Sequence, residues 1–376
     1  MKKISSLLLL LVCIGAFAAG VGEKLDSLSS PEWLDGRSRT LKEINSGKKF
    51  TVFYIWKLDQ AALMDFSRIA AAAENFRKDA AFAGIGLASG EKLKRFPGVI
   101  RLGFPVNADP QAGIMKALQL KDSMLPLAVV LNQDNTVLWR GRSRALPKVL
   151  KDCIAGKFDL QEEIRRTRFA QAVNAEIKAQ KFEKAVSMLH DEWLKTPGNM
   201  ELFNAQMALL TQKLNRPEDA FKLAREGQAK NPGDHRFFES EYKLLGDPAR
   251  EVQVPEFFER VKKAFVNKPG ILMAFAIAEM GRSSESLDVA RVLSLAALGW
   301  KSSGFRSDLE KGLFALEYAK MVHTFGRTDL AVILAQKAYT LLKAEPKRQE
   351  AAKKAALYYA KLQVAAAGIK IPDLQK

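Results

Sequence analysis

The sequence contains few of the residues that carry redox and metal chemistry. Its 376 residues include two cysteines, Cys13 and Cys153, and three histidines. The histidines, His190, His235 and His323, lie far apart, and none has a cysteine or a second histidine at the spacing of a zinc-ligand pair. We therefore expect no metal site and no cofactor.

Motifs for phosphate binding and hydrolysis are missing as well. The chain has no Gly-x-x-x-x-Gly-Lys loop, no Gly-x-Ser-x-Gly turn and no His-Glu-x-x-His pair. Acidic pairs such as Glu162-Glu163 fall on predicted helix surfaces, where solvated charge is the ordinary explanation. The sequence therefore offers no catalytic site of these classes.

Long apolar runs are confined to the beginning of the chain. A basic start with Lys2 and Lys3 is followed by an apolar run from Leu7 to Phe17 and by small residues. This order is typical of a secretory signal peptide, which we place at 1–19, with a polar spacer at 20–30. No later run reaches the roughly 18 apolar residues of a membrane-spanning helix. We expect an exported protein, periplasmic or extracellular.

The predicted signal peptide determines how many cysteines the mature chain would keep. Cys13 lies inside the apolar run and follows Val12, where a lipid-attachment signal needs a small residue, so lipidation is the weaker alternative. Removal of 1–19 leaves Cys153 alone, and no internal disulfide can then form. Leu146, Val149, Leu150 and Cys153 share one face of a predicted helix, which favours a core thiol over a reactive one.

The charge balance is strongly basic, with 59 lysines and arginines against 42 acids and a formal net charge of +17. Such a field favours acidic partners. Nucleic acid does not fit, because an exported protein does not meet it and the basic residues are not interleaved with stacking aromatics. Peripheral association with an anionic envelope surface fits better, with a solvated, solubilising surface as the alternative.

Strand and helix patterns alternate in the first half of the chain. The run from Lys49 to Trp56 is rich in β-branched and aromatic residues, which predicts a strand buried on both faces. Asp59 can cap a following helix, whose apolar stripe recurs at helical spacing. Its members are Ala62, Phe66, Ile69, Ala73 and Phe76.

Further elements complete this half. We predict a strand at 82–88, an extended piece from Ile100 to Val106 and a helix from Gln111 to Leu120. A hairpin follows, with strands at 125–131 and 136–141. The alternation predicts an α/β domain over 31–158, with mainly parallel strands at its centre.

The strand, loop and helix around Trp56 resemble the active-site region of the thioredoxin superfamily, especially its TlpA-type and redoxin branches. In that family the loop supplies Cys-x-x-Cys, and the two cysteine positions fall here on Gln60 and Leu63. Neither side chain can attack or resolve a disulfide. The resemblance thus implies the fold without the redox reaction.

The same resemblance implies a cis-proline beside the active-site loop, and Pro126 matches its position at the start of a strand. In the family this edge helps to dock an extended substrate through main-chain hydrogen bonds. Trp56, Lys57, Gln60, Leu63 and Pro126 are accordingly our candidate peptide-binding edge, and a packing remnant without binding is the alternative.

From 160 to 376 the pattern changes to helices without strands. A shift of 35 residues aligns Ala185 with Ala220, and Pro197 with Pro232. The small alanine, the terminating proline and the period resemble tetratricopeptide repeats, here in divergent form. We predict an all-α solenoid of stacked helix pairs, closed by a lysine-rich helix from Arg348 to Ala367.

Three functions remain open at this point. The first is a redox-inactive scaffold or a protein- or peptide-binding module in the cell envelope. The second is a thiol-disulfide oxidoreductase-like enzyme that uses Cys153 or an external thiol. The third is a purely structural solenoid, held at the wall or membrane by its basic surface.

Overall fold

A computed structural model describes residues 20–25, 33–118, 120, 124–282, 286–344 and 349–367. The predicted signal peptide, Cys13 and residues 26–30 of the predicted spacer lie outside the described residues. The start of the predicted last helix at Arg348 does so too.

The first part of the chain folds as an α/β structure, as predicted. A single sheet of five strands is surrounded by short and medium helices. The elements are α1 (Leu41–Asn45), β1 (Phe50–Trp56), α2 (Gln60–Phe76), β2 (Ala80–Gly86), α3 (Gly90–Arg95), β3 (Val106–Ala108), α4 (Gly113–Ala117), β4 (Leu127–Asn132), β5 (Val137–Gly141) and α5 (Leu146–Ile154).

The sheet is mixed, with strand order β3-β2-β1-β4-β5. Strands β1, β2 and β3 are parallel, whereas β4 pairs antiparallel with both β1 and β5. The predicted parallel strands are β1, β2 and β3, and β4 departs from the prediction. The hairpin is the reason, because its first strand lies directly beside β1 and runs against it.

Strand β1 is the middle of the sheet and of the core. Its residues from Val52 to Trp56 have no exposed surface, because helices or loops cover both faces. Val52, Tyr54 and Trp56 pack with α2 and α5 on one face. Phe53 and Ile55 pack with α1 and α4 on the other. Alternate side chains of one strand thus join two apolar layers.

Helix α2 begins as the sequence predicts. The side chain of Asp59 accepts a hydrogen bond from the backbone N–H of Ala62 at 2.9 Å, which caps the first turn. Of the predicted stripe, Ala62, Phe66 and Ile69 are buried, while the last two members, near the end of the helix, are half-buried. The helix is therefore anchored most firmly at its N-terminal half.

The segment between β2 and β4 differs from the prediction. Instead of an extended piece from Ile100, the chain forms a 3₁₀ turn over Val99–Leu102, and only Val106–Ala108 is a strand. Gly98 and Gly103 flank the turn in left-handed conformations, with φ of 86° and 73°, and this breaks the strand. The predicted helix at 111–120 shrinks to α4.

After Asp159 the described chain contains helices without strands, which confirms a helical remainder. They are α6 (Leu160–Lys178), α7 (Phe182–Lys195), α8 (Met200–Ala208), α9 (Pro217–Lys230), α10 (His235–Leu244), α11 (Val254–Phe265), α12 (Pro269–Met280), α13 (Val289–Lys301), α14 (Asp308–Thr324), α15 (Thr328–Lys343) and α16 (Gln349–Ala366).

The chain divides into two compact units. The first comprises 1–195 and 201–214, and the second comprises 196–200 and 215–376. The change from strands to helices falls at 159–160, but α6, α7 and most of α8 belong to the first unit, where α6 packs against β5. The domain limits 31–158 and 160–376 stay a prediction.

Within the helical part, several helices pack against the next helix in the chain, as α6 does with α7, α9 with α10, α12 with α13 and α14 with α15. The alanines at the predicted helix crossings, Ala185 and Ala220, have no exposed surface. A 3₁₀ segment at Pro248–Gln253 precedes α11. Helix pairs therefore recur as expected, and their assignment to the tetratricopeptide class stays a prediction.

A buried carboxylate organises part of the second unit. Glu241 on α10 has no exposed surface and accepts hydrogen bonds from three side chains. Arg225 donates at 3.0 Å, Arg260 at 2.6 Å and Gln228 at 2.6 Å. Each of these residues comes from α9 or α11, so the carboxylate ties three helices together.

Candidate functional site

The candidate site lies where β1 ends and α2 begins. Trp56 is the last residue of β1, and Gln60 is the first residue of α2. Lys57 is half-buried in the connection between them, whereas Gln60 and Leu63 are exposed. The structure therefore brings these four predicted residues to one end of the sheet, with only part of the set facing solvent.

Pro126 borders the same end of the sheet. The peptide bond between Leu125 and Pro126 is cis, and Pro126 directly precedes β4. Ile55 of β1 is paired with Leu127 of β4, so Trp56 and Pro126 follow at the same end of that strand pair. Both are buried. They lie beneath the edge, and Gln60 and Leu63 are the members of the predicted set whose side chains are exposed.

Trp56 forms a rigid aromatic base beneath this end of the sheet. Its ring is stacked with that of Tyr54 at a centroid distance of 5.3 Å, and it meets Phe66 edge-on at 5.4 Å. Phe66 in turn meets Phe96 at 5.9 Å. Because aromatic rings in these arrangements hold one another in place, α2 cannot shift easily relative to β1.

Leu63 and its neighbour Met64 give the site an apolar character. Leu63 is 38% exposed and Met64 is 74% exposed, in the first turns of α2. They share this end of the helix with the amide of Gln60. The exposed groups are therefore the amide of Gln60 and the apolar side chains of Leu63 and Met64. They suit contact with another molecule and include no nucleophile.

The remaining cysteine lies away from these positions. Cys153 is in the last turn of α5 and is half-buried among apolar residues of the first core layer. Burial, with a smaller contribution from the charge of Asp152, raises the pKa of its thiol to about 11. Since the thiolate is the reactive form, only a small fraction of Cys153 is reactive at neutral pH.

A buried polar cluster behind the site was not predicted. Asp65 on α2 is 6% exposed and accepts hydrogen bonds from Ser143, in the turn after β5, and from Arg68 at 2.5 Å. The Ser143 hydroxyl also accepts a weaker hydrogen bond from Arg68 at 3.4 Å. The cluster fastens α2 to the turn that leads into α5.

Tyr54 extends this cluster into the sheet. Burial, followed by the charge of Asp65, raises the pKa of the Tyr54 phenol far above its usual value, so the phenol stays protonated. A sequence signal for the cluster was present, because Asp65 interrupts the apolar stripe between Ala62 and Phe66. An acid at such a position needs a buried partner, but the sequence does not show that Ser143 provides it.

The described ranges hold no group of three or more histidine, cysteine, aspartate or glutamate side chains arranged to bind a metal ion. None of the helices in those ranges has both the length and the apolar character needed to cross a membrane.

Comparison with known proteins gives structural similarities alone. No protein-family model matches the sequence, and no curated protein matches it. Among solved structures, the chain is similar to a putative protein disulfide isomerase from Bacteroides thetaiotaomicron, with 17% identity and a TM-score of 0.33. The match covers 37% of this chain and 92% of the other.

Two further matches have comparable extents. A DsbF homologue from Corynebacterium diphtheriae is 17% identical, with a TM-score of 0.31, covering 35% of this chain and 86% of its own. An exposed lipoprotein thioredoxin from Streptococcus pneumoniae is 12% identical, with a TM-score of 0.28, covering 34% and 98%. At these values the similarities say nothing about the activity of this chain.

Proposed function

We propose that this protein is an exported, redox-inactive member of the thioredoxin-like class that binds a protein or peptide in the cell envelope and acts there as a scaffold. The observation that carries the proposal is the exposed start of α2. Gln60 and Leu63 occupy the positions where the thioredoxin family has cysteines, and both face solvent.

The surroundings of these residues support binding without chemistry. Leu63 and Met64 expose apolar surface on a helix that the buried Asp65 cluster and the aromatic base hold in place. A preorganised apolar surface binds at a lower entropic cost than a mobile one. In the described part of the chain no thiol accompanies it at this end of the sheet, so a bound chain would be held and not reduced or oxidised.

The helical remainder supplies a second candidate surface. Stacked helix pairs of the tetratricopeptide type form curved solenoids whose concave faces bind peptides. The buried alanines at the helix crossings and the recurring helix pairs support this assignment. A scaffold with two binding surfaces would connect partners, which is the role that we assign to the whole chain.

Enzymatic thiol chemistry at Cys153 finds less support. A thiol with a pKa of about 11 is a poor attacking group at neutral pH, and its half-buried position limits access. Thiol chemistry at Gln60 and Leu63, the family's cysteine positions, would need a thiol that another molecule supplies.

Site-specific photo-cross-linking tests the proposal. A benzophenone amino acid is placed at Gln60, at Leu63 or, as a control, at Asn75, which is exposed in the last turn of the same helix. The full chain is expressed in its host and illuminated before purification. Cross-linked partners are identified by mass spectrometry.

We expect the same discrete adduct from Gln60 and Leu63, and none from Asn75. The substitution Leu63→Asp should remove the adduct at Gln60 without changing the melting temperature, because Leu63 is already partly solvated. Equal adducts at all three positions, or no adduct from an abundant exported chain, would contradict binding at this end of the sheet.

A further inference from the structure

A short basic segment after β2 presents one apolar side chain to solvent. It consists of α3 (Gly90–Arg95) and the 3₁₀ turn Val99–Leu102, and we call it the basic segment, 90–102. Leu93, Val99 and Leu102 are 0%, 4% and 2% exposed and anchor it to the core. The segment is therefore a fixed part of the surface.

The charges of the basic segment are one-sided. Its exposed basic residues are Lys92, Lys94, Arg95 and Arg101, and its one acid is Glu91, so four positive charges against one negative give a net charge of +3. None of the four basic side chains forms an ion pair with any residue in the described ranges. Their charge is therefore available to an outside partner.

Ile100 is the exposed apolar side chain of the basic segment. Its side chain is 87% exposed, whereas the adjacent Val99 is almost completely buried. Within the 3₁₀ turn the side chain of Val99 faces the core and that of Ile100 faces solvent. Gly98 and Gly103 bend the chain on either side of the turn. An isoleucine that is exposed to this degree must lie on a protruding part of the surface, since the walls of a groove would cover part of its side chain.

We infer that the basic segment is a docking surface for an anionic lipid bilayer, with Ile100 entering the interface and the four basic side chains contacting lipid headgroups. Amphipathic surfaces bind in this way, through apolar burial combined with attraction to anionic lipids. The inference goes beyond the proposed function, because it does not depend on a partner at the start of α2.

Two observations favour a bilayer over an acidic protein. A bilayer surface accepts a convex apolar tip at any point, whereas a protein partner needs a matching cavity for Ile100. The basic side chains also lie on both sides of Ile100 in sequence, as expected for headgroup contacts around an inserted side chain. An acidic protein is therefore retained as an outcome of the test.

The experiment measures vesicle binding of the full chain by flotation, with vesicles of phosphatidylcholine alone or with added phosphatidylglycerol. Two changes are made separately: Ile100→Ser, and replacement by glutamine at all four basic positions, Lys92, Lys94, Arg95 and Arg101. Every variant retains the apolar segment near the N-terminus, so its contribution to membrane affinity cancels in the ratios.

Matched controls separate position from composition. Val252 is 84% exposed in the second unit, so Val252→Ser removes a similar apolar group elsewhere. Glutamine at Lys42, Arg144, Lys151 and Lys157, which are all exposed in the first unit, changes the net charge by the same amount. Urea unfolding of each variant checks that the fold is kept.

We expect tighter binding to vesicles that contain phosphatidylglycerol than to vesicles of phosphatidylcholine alone, with the difference falling as salt is added. Each basic residue near an anionic surface contributes about fivefold, so the quadruple change should weaken binding by about six-hundredfold. Ile100→Ser should weaken it about tenfold. Both control sets should bind within about twofold of the unchanged chain, a margin set by ordinary surface substitutions.

Three results would overturn the inference. Equal losses in the control sets would show that net charge acts without a specific surface. Binding that is indifferent to Ile100→Ser would exclude insertion. Soluble polyglutamate that binds as tightly as vesicles would assign the segment to an acidic protein. Cross-linking at Gln60 is measured independently, so its failure and failure here are distinguishable.

Discussion

Restoring cysteines at the start of α2 is the perturbation that most fully tests how this site is built. The double change Gln60→Cys and Leu63→Cys places two thiols three residues apart in the first turn. In a helix this spacing separates the Cα atoms by about 5 Å, within the range of roughly 4.4–6.8 Å that disulfides require. Both positions are exposed, so no repacking of the core is needed.

The reactivity of the introduced thiols can be estimated against Cys153. An exposed thiol at a helix N-terminus should have a pKa of about 8, slightly below the usual value of about 8.5. With Cys153 at about 11, the thiolate fractions at pH 7 differ by roughly a thousandfold. Lower intrinsic nucleophilicity offsets part of this difference, because reactivity falls with pKa by a slope of about 0.4–0.5. The thiol at position 60 should therefore be alkylated about fortyfold faster than Cys153.

The assay is alkylation by iodoacetamide at pH 7, read site by site by mass spectrometry, before and after mild oxidation. Oxidation should protect both introduced thiols and leave Cys153 unchanged. The single changes Gln60→Cys and Leu63→Cys serve as controls that cannot form the internal disulfide. If the introduced pair reacts no faster than Cys153, or does not form a disulfide, the assignment of Gln60 and Leu63 to the family's cysteine positions is refuted.

Two further predictions concern the second unit. Glu241→Gln should lower the free energy of unfolding by about 3 kcal/mol, because it leaves buried donors without their carboxylate. As a control, Glu317→Gln at an exposed ion pair should lower it by less than about 1 kcal/mol. Urea unfolding measures both changes. Gly227→Ala should destabilise by about 2 kcal/mol, because its Cβ would lie 2.2 Å from the ring of Phe237. Gly270→Ala meets open space in α12 and should be neutral or slightly stabilising in the same measurement.

The sequence predicted the elements whose signals are local. The buried strand β1 follows from its β-branched and aromatic residues, and the start of α2 follows from the capping Asp59. The helical remainder and its alanines at helix crossings follow from a repeat of side-chain size. In each case one short segment contains all of the information that determines the structure.

Features that depend on distant pairing were missed. The antiparallel position of β4 beside β1 follows from how the hairpin docks, which the alternation of strands and helices does not specify. The 3₁₀ turn at Val99–Leu102 was missed for a local reason instead, because a strand pattern does not show that Gly98 and Gly103 adopt left-handed conformations. Asp65 meets Ser143 across 78 residues of sequence, and no local pattern indicates that contact.

The most direct test of the central claim is a dithiol-disulfide exchange assay on the unchanged chain. Insulin reduction by dithiothreitol is followed with the chain, with its Cys153→Ser variant and without protein. We expect the same rate of insulin reduction in all three reactions, because Gln60 and Leu63 carry no sulfur and the pKa of Cys153 is raised to about 11. A rate well above the protein-free control that falls to it in Cys153→Ser would contradict the account.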